Sequence, residues 1–594
     1  MIKDSYEARV AAWQKGRYAP PPDPDTTPRQ PDLIEMARMR DGVGLYTEIF
    51  LPAARGSFPT VIHRSPYPMF RPSRHDSWNI SRYLDAGFAF VFQMVRGQYK
   101  SEGSFRLFKD DVDDGHDCIN WLEAQSWCDG NVGMEGSSYA GSVQLYAART
   151  RPKALKCIMP TACFFSLNYG FPYLGGVPGR GWFMQWHKVA DLEQWEDLDA
   201  PYGDMNALIK HPEWSPAMHR KPLIDAADNI LEGDKLQSWR EALSHPPGAP
   251  YWRTVSFTDE ELAELDLPMF FTDGWYDPTI GPIKYFQHLE NVQPDRADSY
   301  LLVGPWNHSQ TYRSQVQDQG NGDRPMPDNG QVDLVAQRLA FFSRYLCGKV
   351  DTQVQEDRVK VYVTGLNEWH HFSTFPVPGT VTEKFYFHSE GVANSFRGDG
   401  VLSQEAPEEE PTDYYIYDPM FPTPCEVAPI CDRRELEIRS DVLVYTSEAF
   451  GVPVTILGEL KLILYAASNC MDTDWVVSVT EVFPDGRSVP FHGRPGVLRA
   501  RYREGFDREV MLVPNEATQF EVTLGTAGHQ IMVGNRLRIS IASAAFPGID
   551  ANTNTGAPAQ TDVNYKVAKQ TIFHDLARPS HLILPVITLG RTKE

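Results

Sequence analysis

A short segment around residue 138 has the residue types and spacing of a nucleophile elbow. The run from Asn131 to Glu135 predicts a short buried strand, and the run from Ser142 to Arg149 predicts a helix. Between them lies Gly136–Gly141, a segment of small residues that carries two serines. A serine at a sharp strand-to-helix turn holds its hydroxyl exposed beside the amides of a helix N-terminus. The segment therefore indicates a nucleophilic serine.

Ser138 is the serine that fits this turn. Backbone approaches backbone at such an elbow, so the residues two before and two after the nucleophile must be small. Ser138 has Gly136 and Ala140 at these positions. Ser137 would have Glu135 and Tyr139 there, and Ser142 would have Gln144 at one of them. We therefore predict that Ser138 is the nucleophile.

An acid and a histidine follow the serine, each just past a predicted strand. The run Leu267–Thr272 precedes Asp277, and the run Ser299–Gly304 precedes His308. The carboxyl ends of strands are where open α/β sheets place their sites, and Ser, Asp, His is the order of an α/β-hydrolase triad. Asp273, nearer to the first of these strands, is the alternative acid.

These segments together resemble the CocE/NonD family of α/β-hydrolases, the cocaine-esterase and X-Pro dipeptidyl-peptidase-like group. That family carries G-x-S-Y-x-G at the nucleophile, G-W-Y-D-P or similar at the acid and G-P-W-x-H at the histidine. This chain has all three, at Gly136–Gly141, Gly274–Pro278 and Gly304–His308. The resemblance runs from about residue 33 to the end. The loop Val95–Gly103 departs from it, because larger residues replace its usual small ones.

The resemblance implies a role for each site residue. His308 is the base that takes the proton of Ser138, and Asp277 orients the imidazole. The elbow supplies the backbone N–H of Tyr139 as one oxyanion donor. By resemblance, the Tyr67 hydroxyl is the second donor. The mechanism needs no metal or organic cofactor, and the sequence indicates none.

The expected fold class is α/β: an α/β-hydrolase domain with an inserted helical lid and a C-terminal all-β domain. The resemblance implies that the C-terminal domain is a jelly roll. Residues 1–32, which are proline-rich from Ala19 to Pro31, predict an extended arm. We expect the hydrolase domain to comprise residues 33–145 and 251–350. Residues 146–250 lack clear strand patterns and are expected to form the lid. Short β-rich runs separated by turns predict a sandwich over 351–594.

Composition limits the partners and the location. The 594 residues carry a formal net charge of −22, which argues against nucleic acid or an anionic membrane as a partner. No secretory signal is visible at the start of the sequence, and no run approaches the ~20 apolar residues of a spanning helix. Eight cysteines without paired spacing indicate reduced thiols in a cytoplasmic protein. The expected partner is a small ester or amide substrate, and the sequence leaves a homo-oligomer open.

Five aspartates lie close together at the predicted start of a helix running from Asp110 to Gln125. Their spacing does not fit a calcium-binding loop. Carboxylates also stabilise a helix N-terminus by themselves. We interpret this cluster as a helix start and not as a metal site.

An aromatic-rich stretch from Phe164 to Trp186 falls in the predicted lid. Ligand pockets are often lined by such side chains, and Trp182 and Trp186 are the candidates for substrate binding. The alternative is that these rings pack the core of the lid itself.

Three functions remain open from the residues. Esters rank first and amides or aminoacyl substrates second, because the family's amino ester hydrolases usually carry an acid where this chain has Ala140. Glu193, Glu196 or Asp197 in the predicted lid could still hold a substrate ammonium group. The third function, a carbohydrate-binding module on an inactive scaffold, is disfavoured because all three triad residues are present.

Overall fold

The computed structural model describes residues 29–68, 76–166, 172–190, 205–311, 321–355, 357–425 and 430–589. The predicted N-terminal arm lies outside these residues except for 29–32. The predicted lid carboxylates Glu193, Glu196 and Asp197 also lie outside them.

Helices of the described part are numbered here in chain order. They are α1 (Asp76–Asp85), α2 (Asp111–Glu123), α3 (Tyr139–Arg149), α4 (Gly181–Val189), α5 (Met205–Lys210), α6 (Trp214–His219), α7 (Gly233–Ser244), α8 (Asp259–Ala263), α9 (Gly281–Val292), α10 (Leu334–Leu346) and α11 (Arg434–Glu437).

Strands up to residue 372 belong to the first half of the fold. They are β1 (Leu33–Arg38), β2 (Gly44–Phe50), β3 (Phe58–Ser65), β4 (Ala89–Met94), β5 (Cys128–Ser137), β6 (Leu155–Thr161), β7 (Tyr173–Leu174), β8 (Val177–Pro178), β9 (Met269–Tyr276), β10 (Ser299–Asn307), β11 (Val359–Val363) and β12 (Glu368–Phe372).

A second set of strands follows. They are β13 (Val381–His388), β14 (Val401–Ser403), β15 (Asp413–Tyr417), β16 (Leu443–Ser447), β17 (Val454–Ser468), β18 (Asp474–Val482), β19 (Ser488–Pro490), β20 (Gly496–Arg499), β21 (Thr518–Ile531), β22 (Arg536–Ala542), β23 (Ala568–Asp575), β24 (Arg578–Pro579) and β25 (His581–Val586).

The first sheet is mixed and runs in the order β1-β2-β4-β3-β5-β6-β9-β10-β11-β12. Its central strands, from β4 to β11, pair in parallel, and the antiparallel pairs lie towards the two edges. Strands β4 and β9 are buried at every position. Such continuous burial is expected where helices cover both faces of a parallel sheet.

Helices form a layer on each side of this sheet. Ile119 of α2, Ala147 of α3 and Phe286 of α9 belong to one buried cluster. Tyr83 of α1 and Phe342 of α10 belong to another. The result is a three-layer α/β arrangement, the architecture expected of an α/β-hydrolase.

The C-terminal strands β13 to β25 form a second sheet of thirteen strands in the described part of the chain. Its longest strand, β17, pairs antiparallel with β21, β23 and β25. The buried side chains of these strands share one cluster, which includes Leu462, Val477 and Ile539. This part of the chain therefore has a hydrophobic core of its own.

Between β6 and β9 the chain leaves the first sheet and forms the short β7–β8 pair and helices α4 to α8. A buried cluster joins these helices to the sheet domain, through residues such as Trp186 and Trp239 on one side and Tyr139 and Val143 on the other. An ion-pair cluster fixes the same segment to the C-terminal part. Asp550 accepts hydrogen bonds from Arg180 at 2.9 Å and Lys221 at 2.9 Å, and Arg180 and Asp550 are each 1% exposed.

Two of the expected ranges differ from the structure. Residues 146–250 were expected to lack strands, but β6 lies within them and occupies the centre of the sheet between β5 and β9. The run Val359–Val363 was assigned to the C-terminal sandwich, but β11 pairs in parallel with β10. A short apolar run such as that of β6 does not by itself distinguish a buried strand from a buried helix, and the alternating run of β11 indicates a strand but not the sheet that it joins. The helix expected from Asp110 to Gln125 is α2.

In the described ranges, no helix combines the length and the apolar character needed to cross a membrane.

We expect Asp550→Ala to destabilise the protein strongly. Removing one partner of a buried ion pair leaves an uncompensated buried charge and costs about 3–5 kcal/mol. Here Arg180 and Lys221 would both lose their carboxylate. Thermal unfolding followed by circular dichroism should show a large drop in the midpoint temperature of unfolding.

The matched control is Glu521→Ala, which removes the exposed pair with Lys461 and should shift this midpoint little. Equal small shifts for both variants would contradict the anchoring role of Asp550.

Candidate active site

The turn between β5 and α3 has the geometry of a strained elbow. Ser138 has φ 62° and ψ −121°, a conformation that L-residues rarely adopt. A Cβ added to Gly136 would lie 2.6 Å from the Ala140 Cβ, and one added to Gly141 would lie 2.5 Å from the Thr161 carbonyl oxygen. The close approach expected from the small residues of this turn is therefore present.

The elbow places the Ser138 side chain next to the backbone N–H of Tyr139. Ser138 is half-buried, and Tyr139 is the first residue of α3. The N–H of a first helical residue has no acceptor within its own helix. The Tyr139 N–H, at the positive end of the helix dipole, can therefore donate to an oxygen held against Ser138.

Asp277 and His308 lie in direct contact. The His308 Nδ1 lies 2.8 Å from the Asp277 Oδ2. Because an ionised carboxylate only accepts, Nδ1 is the donor in this contact, and in a neutral imidazole Nε2 is then the acceptor. The other carboxylate oxygen, Oδ1, accepts from the Thr279 N–H at 2.7 Å and the Thr279 hydroxyl at 2.8 Å. The imidazole is thus held in the tautomer that a general base requires.

The register of the sheet brings the serine, the acid and the histidine to the same side of the sheet, where the parallel strands have their carboxyl ends. Ser137, at the end of β5, pairs with Thr161, and Thr161 pairs with Thr272 of β9. At the ends of β9 and β10, Tyr276 pairs with Asn307. Because these strands are parallel, the residues that follow them emerge at the same edge.

Asp273, the alternative acid, lies inside β9 and not after it. It is fully buried. Its Oδ1 accepts from the Gly274 N–H, and its Oδ2 has no hydrogen-bond partner among the described residues. Burial and the nearby charge of Asp277 raise the pKa of Asp273 well above its usual value. Burial thus disfavours the ionised form of Asp273, whereas Asp277 contacts the histidine.

Tyr67 lies at the same edge, two residues beyond the end of β3. Its hydroxyl accepts a hydrogen bond from the Trp186 indole Nε1 at 2.6 Å. The Trp186 ring stacks on Tyr139, with centroids 6.0 Å apart and planes 13° apart. The two predicted oxyanion donors and one predicted pocket residue therefore form one cluster.

Polar contacts also hold the side chain of Tyr139. Its hydroxyl donates to Asp111, which also pairs with Arg64 at 3.4 Å. Burial raises the pKa of Asp111 to about 6, although Arg64 and the Tyr139 hydroxyl oppose this shift. Burial and the Asp111 charge raise the pKa of Tyr139 well above its usual value. Tyr139 therefore stays a neutral donor, and its side chain anchors the backbone N–H.

Trp182 lies one turn before Trp186 on α4 and is 36% exposed. A Cβ added to Gly548 would lie 3.3 Å from its ring, so Trp182 borders the C-terminal part of the chain. Trp186, by contrast, is 7% exposed. The two predicted pocket residues thus have different surroundings.

The aspartates at the start of α2 form ion pairs with arginines. Arg40 pairs with Asp113 and Asp117, and Arg96 pairs with Asp114. Among the described residues, no group of three or more His, Cys, Asp or Glu side chains is arranged to hold a metal ion.

Sequence reasoning missed three residues that shape this site. Thr279 binds the Asp277 carboxylate, and its spacing of two residues after the acid, typical of a side-chain turn, was the available signal. Phe108 stacks on Tyr139 at 4.3 Å, and Phe105 lies 6.0 Å from Trp186. Their positions depend on tertiary contacts that no local pattern reveals.

Two family models match this chain. The X-Pro dipeptidyl-peptidase (S15 family) model matches residues 41–310, and the X-Pro dipeptidyl-peptidase C-terminal non-catalytic domain model matches residues 351–583. The cocaine esterase of Rhodococcus sp. (strain MB1 Bresler) is 31% identical over 582 residues, covering 93% of this chain and 98% of the relative.

Solved structures share the fold. An aminopeptidase from a marine sediment archaeon, Thaumarchaeota archaeon, has a TM-score of 0.79 at 24% identity, covering 96% of this chain and 99% of that one. An α-amino acid ester hydrolase has a TM-score of 0.76 at 24% identity, covering 94% and 98%.

Substituting the two candidate acids separately should distinguish them. Asp277→Asn removes the carboxylate that fixes the His308 tautomer, so we expect turnover of a p-nitrophenyl ester to fall about 10⁴-fold. Asp273→Asn keeps the shape of a buried side chain that does not contact His308, so turnover should stay close to that of the wild type. The opposite ranking would transfer the orienting role to Asp273.

Proposed function

The chain belongs to the CocE/NonD family of serine hydrolases, and on this premise we propose that it hydrolyses carboxylic esters through an acyl-enzyme intermediate. The observation that carries the proposal is the Asp277–His308 hydrogen bond at the sheet edge where the Ser138 elbow also lies. Activation of a serine needs a base whose orientation is fixed, and this pair provides one.

Acylation begins when the Ser138 hydroxyl approaches the His308 Nε2, a contact that we assign to the substrate complex because catalytic hydrogen bonds often tighten on binding. His308 takes the proton as the Ser138 oxygen attacks the ester carbonyl carbon. The resulting imidazolium is stabilised by Asp277 and then protonates the departing alkoxide. The acyl group remains on Ser138, and an alcohol leaves.

Deacylation repeats these steps with water as the nucleophile. His308 removes a proton from the water as its oxygen attacks the acyl carbon, and then returns a proton to Ser138. The carboxylic acid leaves, and the enzyme is regenerated. In both steps the negative oxygen receives hydrogen bonds from the Tyr139 N–H and the Tyr67 hydroxyl.

Ester substrates fit the site better than substrates with a free amine. Recognition of an ammonium group needs a carboxylate that faces the substrate. Ala140 is 1% exposed and has no charge to offer. Asp277 is committed to His308 and Thr279, and Asp111 to Tyr139 and Arg64. These two carboxylates are therefore already paired with groups of the protein.

Amide or aminoacyl hydrolysis is the second candidate. The model that matches residues 41–310 is named for X-Pro dipeptidyl-peptidases. The same triad cleaves amides when His308 protonates the leaving amine. Glu193, Glu196 and Asp197, outside the described residues, are the side chains that would hold an ammonium group.

The proposal includes the finer architecture and setting. We propose that helices α4 to α8 form a lid over the strand ends, with Trp182 and Trp186 bordering the substrate pocket. The C-terminal strands would form a jelly-roll sandwich.

A cytoplasmic location agrees with Cys118, Cys157 and Cys163, which are buried and in no disulfide. A homo-oligomer is compatible with this proposal.

A substrate panel should test the nucleophile and the specificity together. It contains p-nitrophenyl acetate, butyrate and benzoate, a phenylglycine methyl ester, an X-Pro anilide and a glutaryl anilide. We expect the wild type to cleave the neutral esters and Ser138→Ala to lose about 10⁶-fold in kcat. Ser137→Ala, one residue earlier, is the matched control and should keep most of the activity.

Other results of this panel would change the proposal. Turnover restricted to the amine-bearing substrates would replace the ester proposal with the aminoacyl one. Wild-type activity in Ser138→Ala would remove Ser138 from the mechanism.

We expect Tyr67→Phe to fold normally and to lose about 10²–10³-fold in kcat, the usual cost of removing one oxyanion donor. The phenyl ring keeps the packing and removes the hydroxyl alone. Turnover should be compared with the unfolding midpoint of the same sample. Near-native kcat would exclude Tyr67 as an oxyanion donor.

A further inference from the structure

The contact between Trp186 and Tyr67 has a fixed direction. The indole N–H is a donor and cannot accept. The Tyr67 hydroxyl oxygen, 2.6 Å from the Trp186 Nε1, is therefore the acceptor. A phenol has a single proton, so Tyr67 must direct that proton to an atom other than the indole nitrogen.

Surrounding rings hold the Trp186 indole in place. Its face stacks on Tyr139, and Phe105 packs against it at 6.0 Å. His187 meets it edge-on at 5.1 Å. The ring is 7% exposed, so solvent does not compete strongly for its N–H. The orientation of the N–H is thus set by packing before any substrate arrives.

We propose that Trp186 is a positioning residue for the oxyanion hole, which fixes the Tyr67 hydroxyl so that its proton points to the negative oxygen formed on substrate. This inference rests on the proposed function and assigns Trp186 a role beyond bordering the pocket. Trp186 itself does not touch the reacting atoms.

Two physical effects support this role. A hydroxyl that already accepts a hydrogen bond becomes a stronger donor, because the bonds polarise one another. A donor that is oriented in advance also costs no reorganisation when charge develops on the substrate oxygen. Both effects act mainly in the transition state, so they should raise kcat and leave KM almost unchanged.

A pocket wall would behave differently. An aromatic side chain that only borders the substrate binds ground state and transition state alike, and its loss raises KM. The ratio of the two kinetic changes therefore separates the positioning role from the pocket role.

The test is a double-mutant cycle on a p-nitrophenyl ester. Trp186→Phe keeps an aromatic ring and removes the N–H. We expect kcat to fall about tenfold, the equivalent of one net hydrogen bond at the upper end of its range. In the Tyr67→Phe background the same change should have no further effect on kcat, because the hydroxyl that it orients is gone.

Trp239→Phe is the matched control. Trp239 lies in the same helical segment, is fully buried and donates its indole N–H to the Ile224 carbonyl at 3.1 Å. This variant also loses a buried indole hydrogen bond, but not one to Tyr67. It should lower the unfolding midpoint and leave kcat close to the wild-type value.

The remaining outcomes overturn specific claims. If Trp186→Phe lowers kcat by the same factor in both backgrounds, or changes KM alone, the positioning role fails while the proposed function stands. If Tyr67→Phe itself turns over like the wild type, the oxyanion assignment fails and this inference fails with it. If Trp186→Phe does not fold, benzothienylalanine at position 186 keeps the ring shape without the N–H and is subject to the same criteria.

Discussion

The strained backbone of Ser138 is the constraint on which the rest of the site depends. A non-glycine residue in such a conformation costs about 1–3 kcal/mol and persists only where its surroundings determine it from several directions. Here the contacts of Gly136 with Ala140 and of Gly141 with Thr161 leave no room for a relaxed turn. The preceding strand, β5, is also paired on both sides, with β3 and β6. This turn sets both the direction of the serine hydroxyl and the position of the Tyr139 N–H.

Tyr139 connects the elbow to the rest of the site. Its backbone belongs to the turn, and its ring lies against Phe108 on the hydrolase side and Trp186 on the inserted helices. Its hydroxyl donates to the buried carboxylate of Asp111. A displacement of α4 would therefore act on the proposed oxyanion hole at two points, through the stacking on Tyr139 and through the hydrogen bond to Tyr67.

Local sequence patterns predicted the elements that carry chemistry better than those that complete the fold. The elbow, the Asp277–His308 contact and helix α2 have short-range signals, and the structure shows each of these features. The pairing partner of β11 has no such signal, since it is fixed by the sheet it joins. The hydrogen bond from Trp186 to Tyr67 spans 119 residues and depends on how the inserted helices dock. The sequence therefore predicts Trp186 as a pocket residue but gives no sign of the partner of its indole N–H.

The C-terminal part of the chain contacts α4, the helix that carries Trp186, and so bears on the proposed oxyanion hole. The Arg180 N–H donates to the Gly548 carbonyl, and the Gly181 N–H, at the start of α4, donates to the Pro547 carbonyl. Asp550 holds the Arg180 side chain as well. A helix transmits the position of its first turn to its later residues because its backbone is rigidly hydrogen-bonded. Trp186 lies on that helix, so the segment 547–550 helps to set where its indole N–H meets Tyr67. In this way the C-terminal part of the chain, which contains none of the proposed catalytic residues, contributes to the geometry of the proposed site.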